Sequence, residues 1–204
     1  SMADTMIALD RQHVGSPTKK YAGSMGAGAD IDGDGKKEVW EAEATWTSRY
    51  LFYMEQRLRL DNRYHIIPVS DGTYSQRHKR VNGYQDSLNY PNNVYIACHA
   101  NAGGGNYGLW LYDSRSVTGQ LLAKCIAEEV QKEFPEVRQI TRAASKDSWS
   151  NAYYCIKGVK AVAICAEPWF LDNQDHIRQY MNIKGMEKLG QAMVKGVEKW
   201  LKQK

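Results

Sequence analysis

Hydrophobic residues along the chain fall into two alternating patterns. Short apolar runs bounded by turn residues predict strands at 6–10, 64–69, 94–100, 109–112 and 159–167. Between them, Trp46, Tyr50, Tyr53, Met54 and Leu58 recur at helical spacing across 41–60. Leu121, Leu122, Cys125, Ile126, Val130 and Phe134 do the same across 118–134, and the pattern returns across 186–201. Strand and helix therefore alternate. The expected fold is α/β: a single domain with a twisted, largely parallel central sheet of about five or six strands and helices on both faces. In such folds ligands gather beyond the carboxyl ends of the strands, so chemistry is sought just after each run.

Size and charge narrow the picture. A chain of 204 residues buries roughly 70% of the surface its unfolded form exposes, enough to dispense with structural staples. A metal here is then catalytic rather than architectural. Basic residues number 27 against 23 acids, a net charge of +4 without a run of five like charges, which argues against a dedicated nucleic-acid binder. The most apolar run, 159–165, is broken by Lys160, so no segment is expected to span a membrane. Residues 1–5 read as a tag remnant and short leader, leaving no room for a signal peptide before a domain over 6–204. Cys98, Cys125, Cys155 and Cys165 lack C-x-x-C spacing and are expected as buried free thiols.

Four residues stand where such a sheet places functional groups. His13 follows the first predicted strand, and His99 ends the third. Glu41 opens the first long helix, where a carboxylate also complements the helix dipole. Glu167 ends the apolar run Ala161-Val162-Ala163-Ile164-Cys165-Ala166, and a carboxylate there must be paired, metal-bound or catalytic. Two imidazoles and a carboxylate suit a catalytic zinc with an open fourth position, with a further carboxylate to handle protons. Periodicity alone does not bring the four together.

Four segments resemble the zinc-dependent N-acetylmuramoyl-L-alanine amidases of bacterial cell-wall turnover and phage lysis, over nearly the whole chain. Ile7-Ala8-Leu9-Asp10-Arg11-Gln12-His13-Val14-Gly15 resembles the family's opening strand and D-P-G-H-G-G turn, keeping Asp10, His13 and Gly15. Glu41-Ala42-Glu43-Ala44-Thr45-Trp46 is similar to its acidic ligand and following helix. Tyr95-Ile96-Ala97-Cys98-His99-Ala100-Asn101-Ala102 resembles the S-I-H-A-N-A strand end. Ala166-Glu167-Pro168-Trp169-Phe170-Leu171-Asp172-Asn173 resembles the E-x-G-F-L-x-N segment, with Trp169 in place of glycine and a bulkier cleft wall expected. Arg77 and Asn82 fit the family's R-x-x-x-x-N helix.

The resemblance implies that His13, Glu41 and His99 bind zinc and that Glu167 is the catalytic acid and base. The substrate it implies is peptidoglycan, cut between N-acetylmuramic acid and L-alanine. With no signal peptide expected, a phage or prophage endolysin is the favoured source. Such an enzyme, expected here as a monomer, is made in the cytoplasm and reaches the wall once the membrane is opened. The alternatives are a zinc peptidase acting on the stem peptide and a wall-binding module without activity.

One motif competes for a ligand. Asp30, Asp32 and Asp34, with Gly35 and Glu41, match the twelve-residue D-x-D-x-D-G-x₅-E calcium loop, although Lys37 occupies a normally apolar position and no helix is expected before it. Three readings stay open: an acidic turn without an ion; a loop calcium on Asp30, Asp32 and Asp34 with Glu38 or Glu43; or calcium claiming Glu41 while Glu43 serves zinc. Trp40, Trp110, Trp149 and Trp169 are candidates for a sugar-binding groove, whereas Trp46 and Trp200 sit at core spacing. His65, His78 and His176 are expected to be structural or exposed, and Arg77-His78-Lys79-Arg80 a solvated face.

Overall fold

The computed structural model describes residues 4–13 and 28–204; residues 1–3 of the expected leader, and Val14 and Gly15 of the opening turn, lie outside them. One six-stranded sheet is built from β1 (Thr5–Arg11), β2 (Tyr64–Val69), β3 (Asn92–Cys98), β4 (Tyr107–Asp113), β5 (Arg138–Ala144) and β6 (Val162–Glu167), in the order β2-β1-β3-β6-β4-β5. Strands β2, β1, β3 and β6 are parallel. β4 joins β6 antiparallel and carries β5 parallel to itself at the edge. The chain passes from β1 to one neighbour and later returns to the other, so the crevice beyond β1 and β3 is a topological switch point.

Side chains alternate across the sheet as strand geometry requires. Ile7, Leu9, Val94, Ile96, Cys98, Ile164 and Ala166 face one core. Met6, Ala8, Tyr95, Ala97, Ala163 and Cys165 face the other. The first core is covered by α1 (Glu43–Leu58), α3 (Val117–Glu133) and α6 (Ile183–Leu201). The second is covered by α2 (Tyr74–Leu88) and α4 (Ser150–Ile156), while α5 (Gln174–Tyr180) packs on α6. Helix α1 forms because Trp46, Tyr50, Met54 and Leu58, four residues apart, bury one continuous stripe. Gly190 and Gly196 let α6 approach closely: a Cβ would meet the Tyr50 carbonyl oxygen at 2.7 Å and Ile126 Cα at 2.4 Å.

The expected fold class holds, and the five predicted strands and three predicted helices are present with ends shifted by a few residues. Helix α1 begins at Glu43 rather than Glu41, because Val39–Glu41 turns as a 3-10 helix ahead of it. Strand β5 and helices α2, α4 and α5 were outside the hydrophobic pattern, α2 being implied only by the resemblance at Arg77 and Asn82. All four cysteines are buried free thiols. Among the described residues, no helix is long and apolar enough to cross a membrane.

Candidate metal centre and proton carrier

Three adjacent strands end level with one another. Arg11, Cys98 and Ala166 are register partners, so the residues that follow them emerge side by side. His99 donates its backbone N–H to the Ala166 carbonyl at 2.9 Å. Its own carbonyl accepts from the Tyr50 hydroxyl at 3.0 Å, which ties β3's end to α1. By the alternation of β6, Glu167 points to the same side as Cys165, toward α2 and α4.

The turn carrying His13 is fastened by a buried ion pair. Asp10, fully buried, meets Arg77 Nη1 at 2.6 Å. It also accepts from Gln12 Nε2 at 2.6 Å and from the Tyr95 hydroxyl. Arg77 donates further to the Arg11 carbonyl at 3.1 Å and to the Gly72 carbonyl at 2.8 Å. Removing either charge would strand the other inside the protein, a cost of about 3–5 kcal/mol. Beyond this lock, His13 has φ +59°, a left-handed conformation uncommon for a side-chain-bearing residue and frequent at functional sites. Asn82, the other half of the R-x-x-x-x-N pair, pins the approach to β6: it donates to Gly158 O at 2.9 Å and accepts from Lys160 N at 2.8 Å.

Here the structure corrects the expected carboxylate. Glu43, not Glu41, stands with the two histidines. His13 Nε2 lies 3.4 Å from Glu43 Oε2 and His99 Nδ1 lies 3.2 Å from Oε1. The imidazole rings are 5.1 Å apart and nearly perpendicular. One ligand atom from each residue lies within 4.8 Å of the others. Donors about 2.1 Å from a tetrahedral zinc are separated by roughly 3.4 Å, and each imidazole nitrogen lies near that distance from its own oxygen of the Glu43 carboxylate. Glu43 is 4% exposed, and Ala100 N–H holds its Oε1 at 2.9 Å. Burial raises its pKa, but the hydrogen bonds and charges of His13 and His99 prevail and bring it down to about 2. A buried anion flanked by two imidazoles is a fitting seat for a cation.

Glu41 belongs to the acidic loop. It is fully buried; Oε1 accepts from Ile31 N at 2.6 Å, and Oε2 accepts from Glu38 N at 2.9 Å. Its carboxylate therefore serves the backbone of 31–38, and the 3-10 turn that follows points Glu43 elsewhere. Asp30, Asp32 and Glu41 bring oxygens within 4.8 Å of one another, as do Asp32, Asp34 and Glu38. The aspartates are already engaged. Asp30 accepts from Gly33 and Gly35 N–H, Asp32 from Asp34 N–H, and Asp34 from Lys36 N–H, all within 3.2 Å.

Glu167 lies beside this centre. Burial lifts its carboxyl to about 7; His99 opposes the shift and Glu43 reinforces it. A carboxyl poised near neutrality can both take and return a proton. The segment after it is tied to the loop after His99. Asn101 donates to Trp169 O at 2.8 Å and accepts from Leu171 N at 2.9 Å. Asp172 accepts from Gly103 and Gly104 N–H at 3.0 and 2.8 Å.

Trp169 does not form the expected cleft wall. It is fully buried, with its ring stacked on Tyr180 and edge-on to Tyr50. Trp110 is buried as well, which leaves Trp40 and Trp149, each 43% exposed, as surface aromatics. His78 and His176 are buried and hydrogen-bonded, and His65 is exposed. The basic cluster is not a solvated face throughout, since Arg77 and His78 point inward. The sequence favoured Glu41 and kept Glu43 only as the alternative in which calcium claims Glu41; the signal for Glu43 was its place two residues on, at the first residue of the helix.

A family model for N-acetylmuramoyl-L-alanine amidases matches residues 22–199. No curated protein matches the chain by sequence. Among solved structures, an N-acetylmuramoyl-L-alanine amidase from Clostridium difficile 630 is similar over 100% of both chains, with TM-score 0.74 and 17% identity. The catalytic domain of CwlV, an N-acetylmuramoyl-L-alanine amidase from Bacillus (Paenibacillus) polymyxa var. colistinus, aligns with 98% of this chain and 99% of its own, with TM-score 0.69 and 18% identity. The catalytic domain of an endolysin targeting Clostridia difficile aligns with 95% of this chain and 97% of its own, with TM-score 0.66 and 17% identity. At these identities the structures speak for the fold, and the family model speaks for the family.

Proposed function

The chain belongs to the N-acetylmuramoyl-L-alanine amidase family, and on that premise we propose that it cleaves the amide between N-acetylmuramic acid and L-alanine with zinc held by His13, Glu43 and His99. The observation that carries this reading is the convergence of two imidazoles and a buried carboxylate, one ligand atom from each within 4.8 Å of the others, beside a carboxyl held near neutrality. A zinc ion there supplies a Lewis acid that acidifies water and polarises the amide carbonyl.

The chain's own residues then manage the protons and the alignment. Glu167 takes a proton from the attacking water as the new carbon–oxygen bond forms. It delivers that proton to the alanine nitrogen as the carbon–nitrogen bond breaks, because without it the nitrogen would have to leave as an amine anion. The same carboxyl serves both halves, which suits a pKa near 7. The Asp10–Arg77 pair and the His99–Ala166 hydrogen bond hold the two histidines at the strand ends through the reaction.

Digestion of purified peptidoglycan, with and without a zinc chelator, tests the reading. The expected products are L-alanine amino termini and intact glycan strands, lost on chelation and in Glu167→Gln. New ends inside the stem peptide would make the enzyme a peptidase, and binding without new ends would leave a wall-binding module. The finer reading, a lytic enzyme of the endolysin kind, draws support from the shared fold with an endolysin catalytic domain. Loss of turbidity when the protein is added to intact cells tests that role.

A further inference from the structure

The imidazole of His99 has two nitrogens, and only one faces the proposed zinc. Nδ1 lies 3.2 Å from Glu43 Oε1, while Nε2 lies 3.5 Å from the Sγ of Cys155. Both side chains are almost entirely buried, His99 at 7% and Cys155 at 2% exposure. Resting on the zinc reading above, we propose that Cys155 is a positioning residue for His99: its sulfur accepts a hydrogen bond from Nε2–H and keeps Nδ1 turned toward the metal seat.

Tautomer chemistry requires such a partner. An imidazole that gives the Nδ1 lone pair to a cation carries its proton on Nε2. In a dry site that N–H needs an acceptor, and ligand histidines are usually served by a carboxylate, a carbonyl or water. Here the acceptor is sulfur. Its own position is well fixed, because α4 presents Cys155 from the face of the sheet opposite α1. The Cys155 carbonyl is bound by buried His78 Nε2 at 2.8 Å. The His78 ring is in turn wedged against Gly158, where a Cβ would meet its Nδ1 at 2.4 Å. Cys165 Sγ sits within 4.8 Å of both the Cys155 sulfur and a His99 ring nitrogen and closes the pocket from β6. The contacts thus run from α2 through α4 to the imidazole.

Competition between the full chain and a chromophoric zinc chelator measures the effect. Cys155→Ala should weaken zinc binding about 10–100-fold. Cys155→Ser, which keeps an acceptor at the same place, should restore most of the affinity. Melting curves of the zinc-free proteins check that each variant is folded. Equal affinity in wild type and Cys155→Ala, or equal loss in the alanine and serine variants, would overturn the proposal. Cobalt(II) provides a readout independent of folding losses. The loaded wild type should show no sulfur-to-cobalt charge-transfer band, and such a band would make Cys155 a ligand instead. Wild-type protein that takes up no zinc would overturn the metal reading and this inference together. Wild type that binds zinc while Cys155→Ala binds it equally well would overturn the inference alone.

Discussion

Glu41 and Glu43 are two residues apart and both buried, yet they belong to different kinds of structure. Glu41 closes a local loop: its partners are backbone amides at 31 and 38, and its work is done within ten residues of chain. Glu43 closes a long-range one: it meets residues from the ends of β1 and β3, 30 and 56 positions away. The first carboxylate satisfies donors that folding would otherwise leave bare. The second sits between two imidazoles that hold it ionised, with the Glu167 carboxyl alongside. Acidic residues at ligand spacing along a sequence therefore make a weaker case for a catalytic metal than donors converging from separate strands.

Substitutions at these positions should separate the two. The largest effect is expected from Glu43→Gln, which removes the anion from the proposed zinc seat: zinc content and amidase activity should both fall to background. Glu167→Gln should lower kcat about 10²–10⁴-fold with zinc content unchanged. The same variant carries a stability signature in zinc-free protein. Because burial raises the Glu167 pKa from 4.5 to about 7, the native state holds its proton more tightly than the unfolded state. Stability is then fully present below pH 4.5 and is lost as pH rises through about 7. Denaturation with urea at pH 8 should find Glu167→Gln more stable than wild type, by on the order of 3 kcal/mol, and the two should converge near pH 4. A flat difference across that range would contradict the assigned environment.

Glu41→Gln should do the reverse of Glu43→Gln. Its amide cannot accept from both ends of the loop, so the melting midpoint should drop by about 5 °C while zinc content and kcat hold. The smallest effect is expected at Asp32, an exposed loop residue whose carboxylate serves only its own turn. Asp32→Ala should change stability by less than about 0.5 kcal/mol, and millimolar calcium should not raise the melting midpoint of the wild type. A calcium-dependent rise lost in Asp32→Ala would instead support the calcium reading of that loop.

Much of this was legible in the chain because burial writes itself as pattern. The runs before His13, His99 and Glu167 are apolar on both sheet faces, and their strands are covered by helices on each side. Strand β5 was not legible, since Arg138-Gln139-Ile140-Thr141-Arg142 lies at an edge and exposes most of its length. Helix α4 was hidden for another reason: it is seven residues long, starts after Trp149 in a left-handed conformation and has no side-chain cap. The exchange of Glu41 for Glu43 came from a boundary. The apolar periodicity begins at Trp46, so it marks neither the 3-10 turn at Val39–Glu41 nor the first residue of α1. His13, His99 and Glu167 stood out as polar residues at the ends of predicted strands, and the resemblance supplied what periodicity could not, the link between them. The pairing of Cys155 with His99 joins residues 56 apart and left no mark in the sequence.

The most direct test of the account is an anomalous difference map at the zinc edge from crystals of the zinc-loaded protein. One peak about 2.1 Å from His13 Nε2, Glu43 and His99 Nδ1 is the predicted result. A peak among Asp30, Asp32 and Glu41, or a centre that leaves Glu43 unbound, would contradict it.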